Sequence, residues 1–374
     1  MIYHSQQRQV AESAAKEYTI EQTLDKMEVD WEPFNLDVRD YRGGTGILAG
    51  FDEINTVLDE QVTMTQAMSF SAFKGPFEER IDTWNHKLMV VSEVLDNWLK
   101  VQRDWMYLQP IFESDDIIKQ LPSEAKKFAT VDKNWRVTIS AARKHPEVIS
   151  FCDNEKLNER FREGVKMLDQ VQKGLNQYLE TKRDVFPRFY FLSNDDLLTI
   201  LSESKDVVAL QPHFKKVFEA VEKVTFGAAS LIEKVQSPEK EVIDLSRVVD
   251  PKGHNVESWL LLLEDELRDT IRDIMKAAIA DYYETPRTDW MQYWPSMHVL
   301  NGSQLHWTRQ TEDLFEEFGA GAPAKALERQ KTELADMVVL VRGKLPKQVK
   351  TKVGALAVID GELLGHPRCA SGYC

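Results

Sequence analysis

Between residues 77 and 108, side chains recur along one seam in alternating steps of three and four: Ile81, Trp84, Leu88, Val91, Leu95, Trp98, Gln102 and Trp105. That spacing follows the turn of an α-helix and puts a tryptophan-rich stripe on one side, broken only by Gln102. Glu78, Glu79, Glu93, Lys100 and Arg103 fall on the flanks and suit a solvated face. A chain with such a helix must bury the stripe against other elements, so the dominant architecture is helix packed on helix.

The same periodicity recurs elsewhere. Residues 5–29 are polar and weakly helical. Residues 155–182 align Leu157, Phe161, Val165, Leu168, Val171, Leu175 and Tyr178. Residues 256–283 align Leu260, Leu263, Leu267, Ile271, Ile274, Ala278 and Tyr282, a helix of about 42 Å at about 1.5 Å per residue. Further helices are expected over 302–318 and 323–343, separated by Gly319 to Pro323. Start signals stand at Ser114-Asp115-Asp116, where the serine is expected to cap free N–H groups, at Pro122-Ser123-Glu124, and at Ser193 with Asp196. Small β elements interrupt the helices. Phe34, Leu36 and Val38 alternate before Arg42-Gly43-Gly44-Thr45-Gly46, which predicts a hairpin with a glycine turn. Val185 to Leu192 reads as a short strand with Phe189 and Phe191 on one face. A second strand pair is expected between Val224 and Val249, closed near Asp250-Pro251-Lys252-Gly253. Pro286 and Pro295 bracket an aromatic loop. The fold class expected is mainly α with small antiparallel β elements.

At 374 residues with 43% hydrophobic content, the chain fits two or three packed subdomains or one elongated body. A formal net charge of -14 excludes a basic nucleic-acid footprint. Three cysteines fit a reducing compartment better than a disulfide framework. No apolar signal core and no run of about 18 apolar residues is present, so neither secretion nor a membrane span is expected.

Candidate chemistry is sparse. The glycines at 43–46 have no following Lys-Ser/Thr, so a hairpin turn explains them better than a phosphate loop. Gly343-Lys344 is followed by Leu345 and fits a helix end. His366, Cys369 and Cys374 lie close together but fall short of the four ligands of a structural zinc site. Asp115/Asp116 and Asp195/Asp196 sit at helix starts, and Glu264-Asp265-Glu266 reads as a solvated helix face. Cys152 reads as a buried thiol rather than a nucleophile. The expectation is no catalytic, metal or cofactor site.

Longer stretches resemble a known family. These are Leu58-Asp59-Glu60 with Thr65-Gln66-Ala67-Met68, the run from Trp98 to Phe112, and above all Lys182-Arg183-Asp184-Val185-Phe186-Pro187-Arg188-Phe189-Tyr190-Phe191-Leu192-Ser193-Asn194-Asp195-Asp196. Gln211 to Lys216 and Arg342 to Leu345 continue the series. The sequence resembles the linker region of dynein heavy chains, axonemal rather than cytoplasmic, in order from about Phe34 to Asp360. The resemblance implies an elongated, arched, multi-helix rod between a stem and a ring of ATPase modules, whose bending is the power stroke along microtubules. It divides the chain into the helical end of the stem (1–30), a linker start with the β-hairpin (31–62), the helical linker (63–360) and a divergent, flexible tail (361–374), with truncation before the first ATPase module. ATP and Mg would belong to that ring, not to this chain. The implied partners are the ring, the stem with intermediate and light chains, and microtubules through the whole motor only, with no nucleic acid and no membrane. The implied location is the axoneme of a cilium or flagellum within the cytoplasmic cytoskeleton. The alternative is a non-motor helical scaffold or adaptor protein.

A bending linker needs a flexing element. The nominated hinge is Thr270, Ile271, Arg272, Asp273, Ile274 and Met275, against the alternative of a rigid strut. The nominated ring-facing contact surface is Trp290, Tyr293 and Trp294, against the alternative of a core plug between helices.

Overall fold

In the computed structural model, residues 2–202 and 206–365 are described. They are mainly α-helical, with two small antiparallel sheets. The chain divides into two compact units, residues 1–180 and 181–374. That division lies inside the stretch 63–360, which the sequence treats as one body.

The first unit begins with helix α1 (Ile2–Val29). Strands β1 (Asp37–Tyr41) and β2 (Thr45–Ala49) then form the expected hairpin, with Val38 opposite Leu48. Its turn places Gly43 and Gly44 at φ 68 and 70, where a side chain would be strained. Helices α2 (Phe51–Ser69), α3 (Glu78–Leu108), α4 (Asp115–Gln120), α5 (Pro122–Lys144), α6 (Val148–Cys152) and α7 (Glu155–Val185) follow, the last five residues of α7 belonging to the second unit. Every member of the α3 seam is buried, and Trp98 and Trp105 meet Trp135 at ring distances of 6.4 and 5.2 Å. The polar break has a reason. The Gln102 amide donates to Leu48 O at 2.9 Å and accepts from Leu48 N at 2.8 Å, pairing the outer edge of β2 inside the core. Ser114 precedes α4 as expected but makes no side-chain cap.

The second unit carries α8 (Asn194–Ser202), α9 (Gln211–Val217), β3 (Lys223–Phe226), β4 (Ile232–Gln236), β5 (Val242–Val249), α10 (Val256–Asp281), α11 (Arg287–Tyr293), α12 (Ser296–Phe318), α13 (Ala322–Arg342) and α14 (Lys347–Gly365). Ser193 caps α8 as read: its Oγ accepts from Asp196 N at 3.1 Å and donates to the Asp196 carboxylate at 2.9 Å.

Four readings are corrected. Val185 to Leu192 is not a strand. Pro187–Phe191 is a 3-10 turn, whose three-residue period buries Phe186, Phe189 and Leu192 and leaves Phe191 79% exposed. Arg183 staples it, donating to Asn194 Oδ1 at 2.7 Å and Leu192 O at 3.3 Å. The expected strand pair is a three-stranded sheet, β3-β4-β5, and the Asp250–Gly253 turn leads from β5 into α10. The aromatic loop between Pro286 and Pro295 is helix α11, with Pro286 at its N-cap. Gly361 to Gly365, expected in the loose tail, continue α14; residues 366–374 lie outside the described residues.

Candidate functional site

Helix α10 is the spine of the second unit, and it serves two cores. Its first half buries Trp259, Leu260, Leu263 and Leu267, with the Trp259 ring 6.1 Å from Phe214. Its last turn contributes Ala278, and the C-cap Tyr282 joins it, in a separate cluster with Trp290, Met291, Val299, Met337, Val353 and Leu356 from α11 to α14.

The first core ends in a polar clamp. Residues 245–248 of β5 leave the ladder with β4, since Lys234 pairs with Asp244 and Ile232 with Val249. Their freed backbone donors turn to α10. Ser246 N donates to Thr270 Oγ1 at 3.0 Å, and Arg247 N donates to Glu266 Oε1 at 2.7 Å. Arg247 Nε also reaches Glu266 Oε2 at 2.9 Å. The acidic run is therefore not a solvated face. Asp265 is exposed, but Glu266 is buried under β5, and Glu264 is buried beside Arg188 at 3.0 Å and Arg268 at 2.5 Å. The run looked solvated because the arginines that neutralise it are remote in sequence or on its own outer flank.

Between Thr270 and Ala278 no residue of α10 is buried. Ile271, Ile274 and Met275 are half-buried. Arg272 and Asp273 are exposed and pair along the helix, with Asp269 at 3.2 Å and Lys276 at 3.3 Å. Two turns thus run with a thin coat from one core to the next. Of the nominated hinge residues, Thr270 is fixed by the clamp and the other five lie in the thin stretch.

The nominated contact residues divide. Trp290 is fully buried and donates to Ala278 O at 2.8 Å; Trp294 is half-buried and donates to Asp281 Oδ2 at 2.8 Å. Tyr293 alone stands on the surface, 78% exposed. Around them, Arg287 meets Asp360 at 2.7 Å and Glu333 at 3.0 Å. Burial works against the charge on Arg287, but these carboxylates outweigh it and hold the guanidinium above its ordinary pKa. Lys352 donates to Trp294 O at 2.6 Å, capping the end of α11; burial lowers its pKa, with Glu241 opposing.

Three contacts tie the cores together beside the thin stretch. Ser296, at the start of α12, donates to Glu241 Oε1 through its Oγ at 2.7 Å. Gln348 of α14 donates to Glu239 O at 2.9 Å. His298 Nε2 lies 3.1 Å from Ile271 O, so that nitrogen carries the proton. None of these pairings had a signal in the sequence, because each joins residues that are ordinary in their local pattern.

The other candidates are soon placed. Gly43 to Gly46 lead into a strand rather than a helix, and Gly43 O is taken by Arg136 at 2.9 Å, so these residues do not fit a nucleotide phosphate. Cys152 is buried, and that burial pushes its thiol up to about 12. His366, Cys369 and Cys374 lie outside the described residues. Among the described residues, no cluster of three His, Cys, Asp or Glu is placed to hold a metal, and no helix is long and apolar enough to cross a membrane.

Fold and site together define a helical element with two cores threaded on one helix. Residues 1–278 match the family described as dynein heavy chain, N-terminal region 2, and the chain belongs to that family. It is 44% identical over 352 residues to dynein axonemal heavy chain 1 of Mus musculus, a match covering 94% of this chain and 8% of that protein. It is 40% identical over 354 residues to dynein axonemal heavy chain 12 of Mus musculus, covering 94% of this chain and 11% of that one. Dynein axonemal heavy chain 3 of Mus musculus is 40% identical over 355 residues, 94% of this chain and 9% of that protein. The chain thus spans about a tenth of the length of the relatives it matches.

Proposed function

We propose that this chain is the mechanical linker segment of an axonemal dynein heavy chain, and that it bends within α10. The observation that carries the reading is the gap in burial from Ile271 to Ala277, between two cores that share one continuous helix. A helix without Pro or Gly bends where its packing is thinnest, by lengthening backbone hydrogen bonds on one side. The clamp at Glu266 and Thr270 and the aromatic cluster at Tyr282 and Trp290 would keep each core rigid as the helix between them flexes. Each then moves as a body, as force transmission requires. On this reading the chain hydrolyses no ATP itself. ATP and Mg act in a ring elsewhere in the parent protein. The partners are that ring, the stem with its intermediate and light chains, and, through the whole motor, microtubules in a cilium or flagellum.

The test is Arg272→Gly in a full-length axonemal dynein heavy chain bearing these residues. Arg272 is exposed, so a glycine costs the fold only about 1 kcal/mol. Microtubule gliding force should fall while ring ATPase activity persists. Unchanged force and speed would reject the hinge and leave α10 a rigid strut.

A further inference from the structure

Two ring N–H groups from outside α10 reach its backbone carbonyls. His298 Nε2 of α12 donates to Ile271 O at 3.1 Å, and Trp290 Nε1 of α11 donates to Ala278 O at 2.8 Å. Within an α-helix each of these oxygens is also the acceptor for the N–H four residues on, those of Met275 and Tyr282. Ile271 and Ala278 are seven residues apart, close to two full turns, so both carbonyls lie on one face. They also mark the two ends of the thin stretch. His298 is only 2% exposed, and its Nδ1 makes no hydrogen bond among the described residues. Releasing Ile271 O would leave the buried Nε2–H unpaired as well, which is costly, so the ring holds that oxygen persistently. A carbonyl drawn to an outside partner tilts off the helix axis and lengthens its own intrahelical bond, as water does along the solvent side of long helices. At Ala278 the aromatic cluster supports the helix against such loosening. Around Met275 no buried residue of α10 does so, and the nearest are Thr270 and Ala278.

We propose that His298 sets where and in which direction α10 gives. By holding Ile271 O it loosens the Met275 bond, so the helix yields first between Ile271 and Met275 and curves with its convex face toward α12. His298 is thus a positioning residue for the hinge. Its part in the motor's bending rests on the proposed function, whereas the loosened bond does not.

The experiment is amide hydrogen exchange by NMR on the full chain, each rate taken relative to that of the unstructured amide. Burial alone would protect the half-buried Met275 better than Asp273 and Ala277, which are exposed on the opposite face. A loosened bond reverses that order and leaves Met275 about tenfold less protected than either. His298→Phe keeps a ring in place without the donor, so Met275 should gain about tenfold in protection. His298→Gln, whose amide N–H can reach the same oxygen, should keep the original value. A histidine that only packs would do the opposite, its loss leaving protection unchanged or lower. Better protection of Met275 than of Asp273 and Ala277 in the unsubstituted chain, no gain in a folded His298→Phe chain, or an equal gain in His298→Gln would each overturn the proposal. The comparison within the unsubstituted chain decides the matter even if His298→Phe fails to fold. Exchange reads the Ile271–Met275 bond itself, so its failure is distinguishable from a failure of the Arg272→Gly motor assay.

Discussion

Trp290 and Tyr293 are three residues apart on one short helix and meet opposite surroundings. Trp290 has the ring of Tyr282 at 5.1 Å and bonds the α10 backbone, whereas Tyr293 meets its neighbour Trp294 at the surface. Trp290→Ala should destabilise the second unit by about 3–5 kcal/mol through the cavity it leaves. Tyr293→Ala should stay within about 0.5 kcal/mol, both read as urea unfolding of that unit. Only Tyr293 of the nominated trio could lose a partner contact without harming the fold. Two histidines of α12 give a pH dependence. Burial lowers the pKa of His298, with the Ile271 backbone and Glu241 opposing. Burial also lowers that of His306, which stacks on Tyr282 at 3.9 Å, with the Ile279 backbone opposing and Arg309 adding. As pH falls through 6.5, the histidines of the unfolded chain take up protons while the folded ones resist. Stability is therefore complete above that pH and declines below it, by at most about 1.4 kcal/mol per pH unit for each histidine. The urea midpoint of the second unit should be lower at pH 5.5 than at 7.5, and His306→Phe, which keeps an aromatic ring against Tyr282, should shrink the difference. An equal midpoint at both pH values would contradict this.

At the scale of elements, the contrast along α10 can be read by amide hydrogen exchange. Amides of Arg272 to Ala277 should exchange faster than those of Leu263 to Thr270 and of Ala278 to Tyr282, since little burial opposes local opening there. Uniform protection along the helix would contradict a thin stretch. The long helices were legible because burial imposes a 3.6-residue period on α3, α7 and α10, and even the one polar break, at Gln102, was visible as a break. The hairpin was legible from its glycines. The 3-10 turn at Pro187–Phe191 was not, because Phe-x-x-Phe-x-x-Leu at period three and alternation at period two overlap over eight residues. α14 escaped notice because its buried positions Val353 and Leu356 are dispersed among Ala, Gly and Lys, and its place is set by Arg287 and Gln330 reaching Asp360 from α11 and α13. The β5 clamp was equally hidden. Glu266 and Thr270 are four residues apart among apolar neighbours, and the departure of residues 245–248 from the ladder gives them partners. Glu266→Ala should cost the second unit about 1–3 kcal/mol, because it leaves the Arg247 amide unpaired under α10.

At the scale of the whole molecule, a relative movement of the two cores must change the spacing between the hairpin tip and the start of α12. Glu241 and Ser296 face each other there, and Gln348 grips the same hairpin at Glu239. The region is distant in sequence from the specific Phe-Pro-Arg-Phe-Tyr-Phe-Leu run that marks the family, so family resemblance could direct attention to a bending part but not to these residues. The most direct measurement joins Glu241→Cys to Ser296→Cys with a short, reducible bis-thiosulfonate reagent in a full-length axonemal dynein heavy chain that carries this segment. Gliding and ATPase rates are then recorded before crosslinking, after it, and after reduction. If the cores must move about α10, the crosslinked motor hydrolyses ATP but ceases to move microtubules, and reduction restores movement. Gliding at undiminished speed with the crosslink complete would contradict the account.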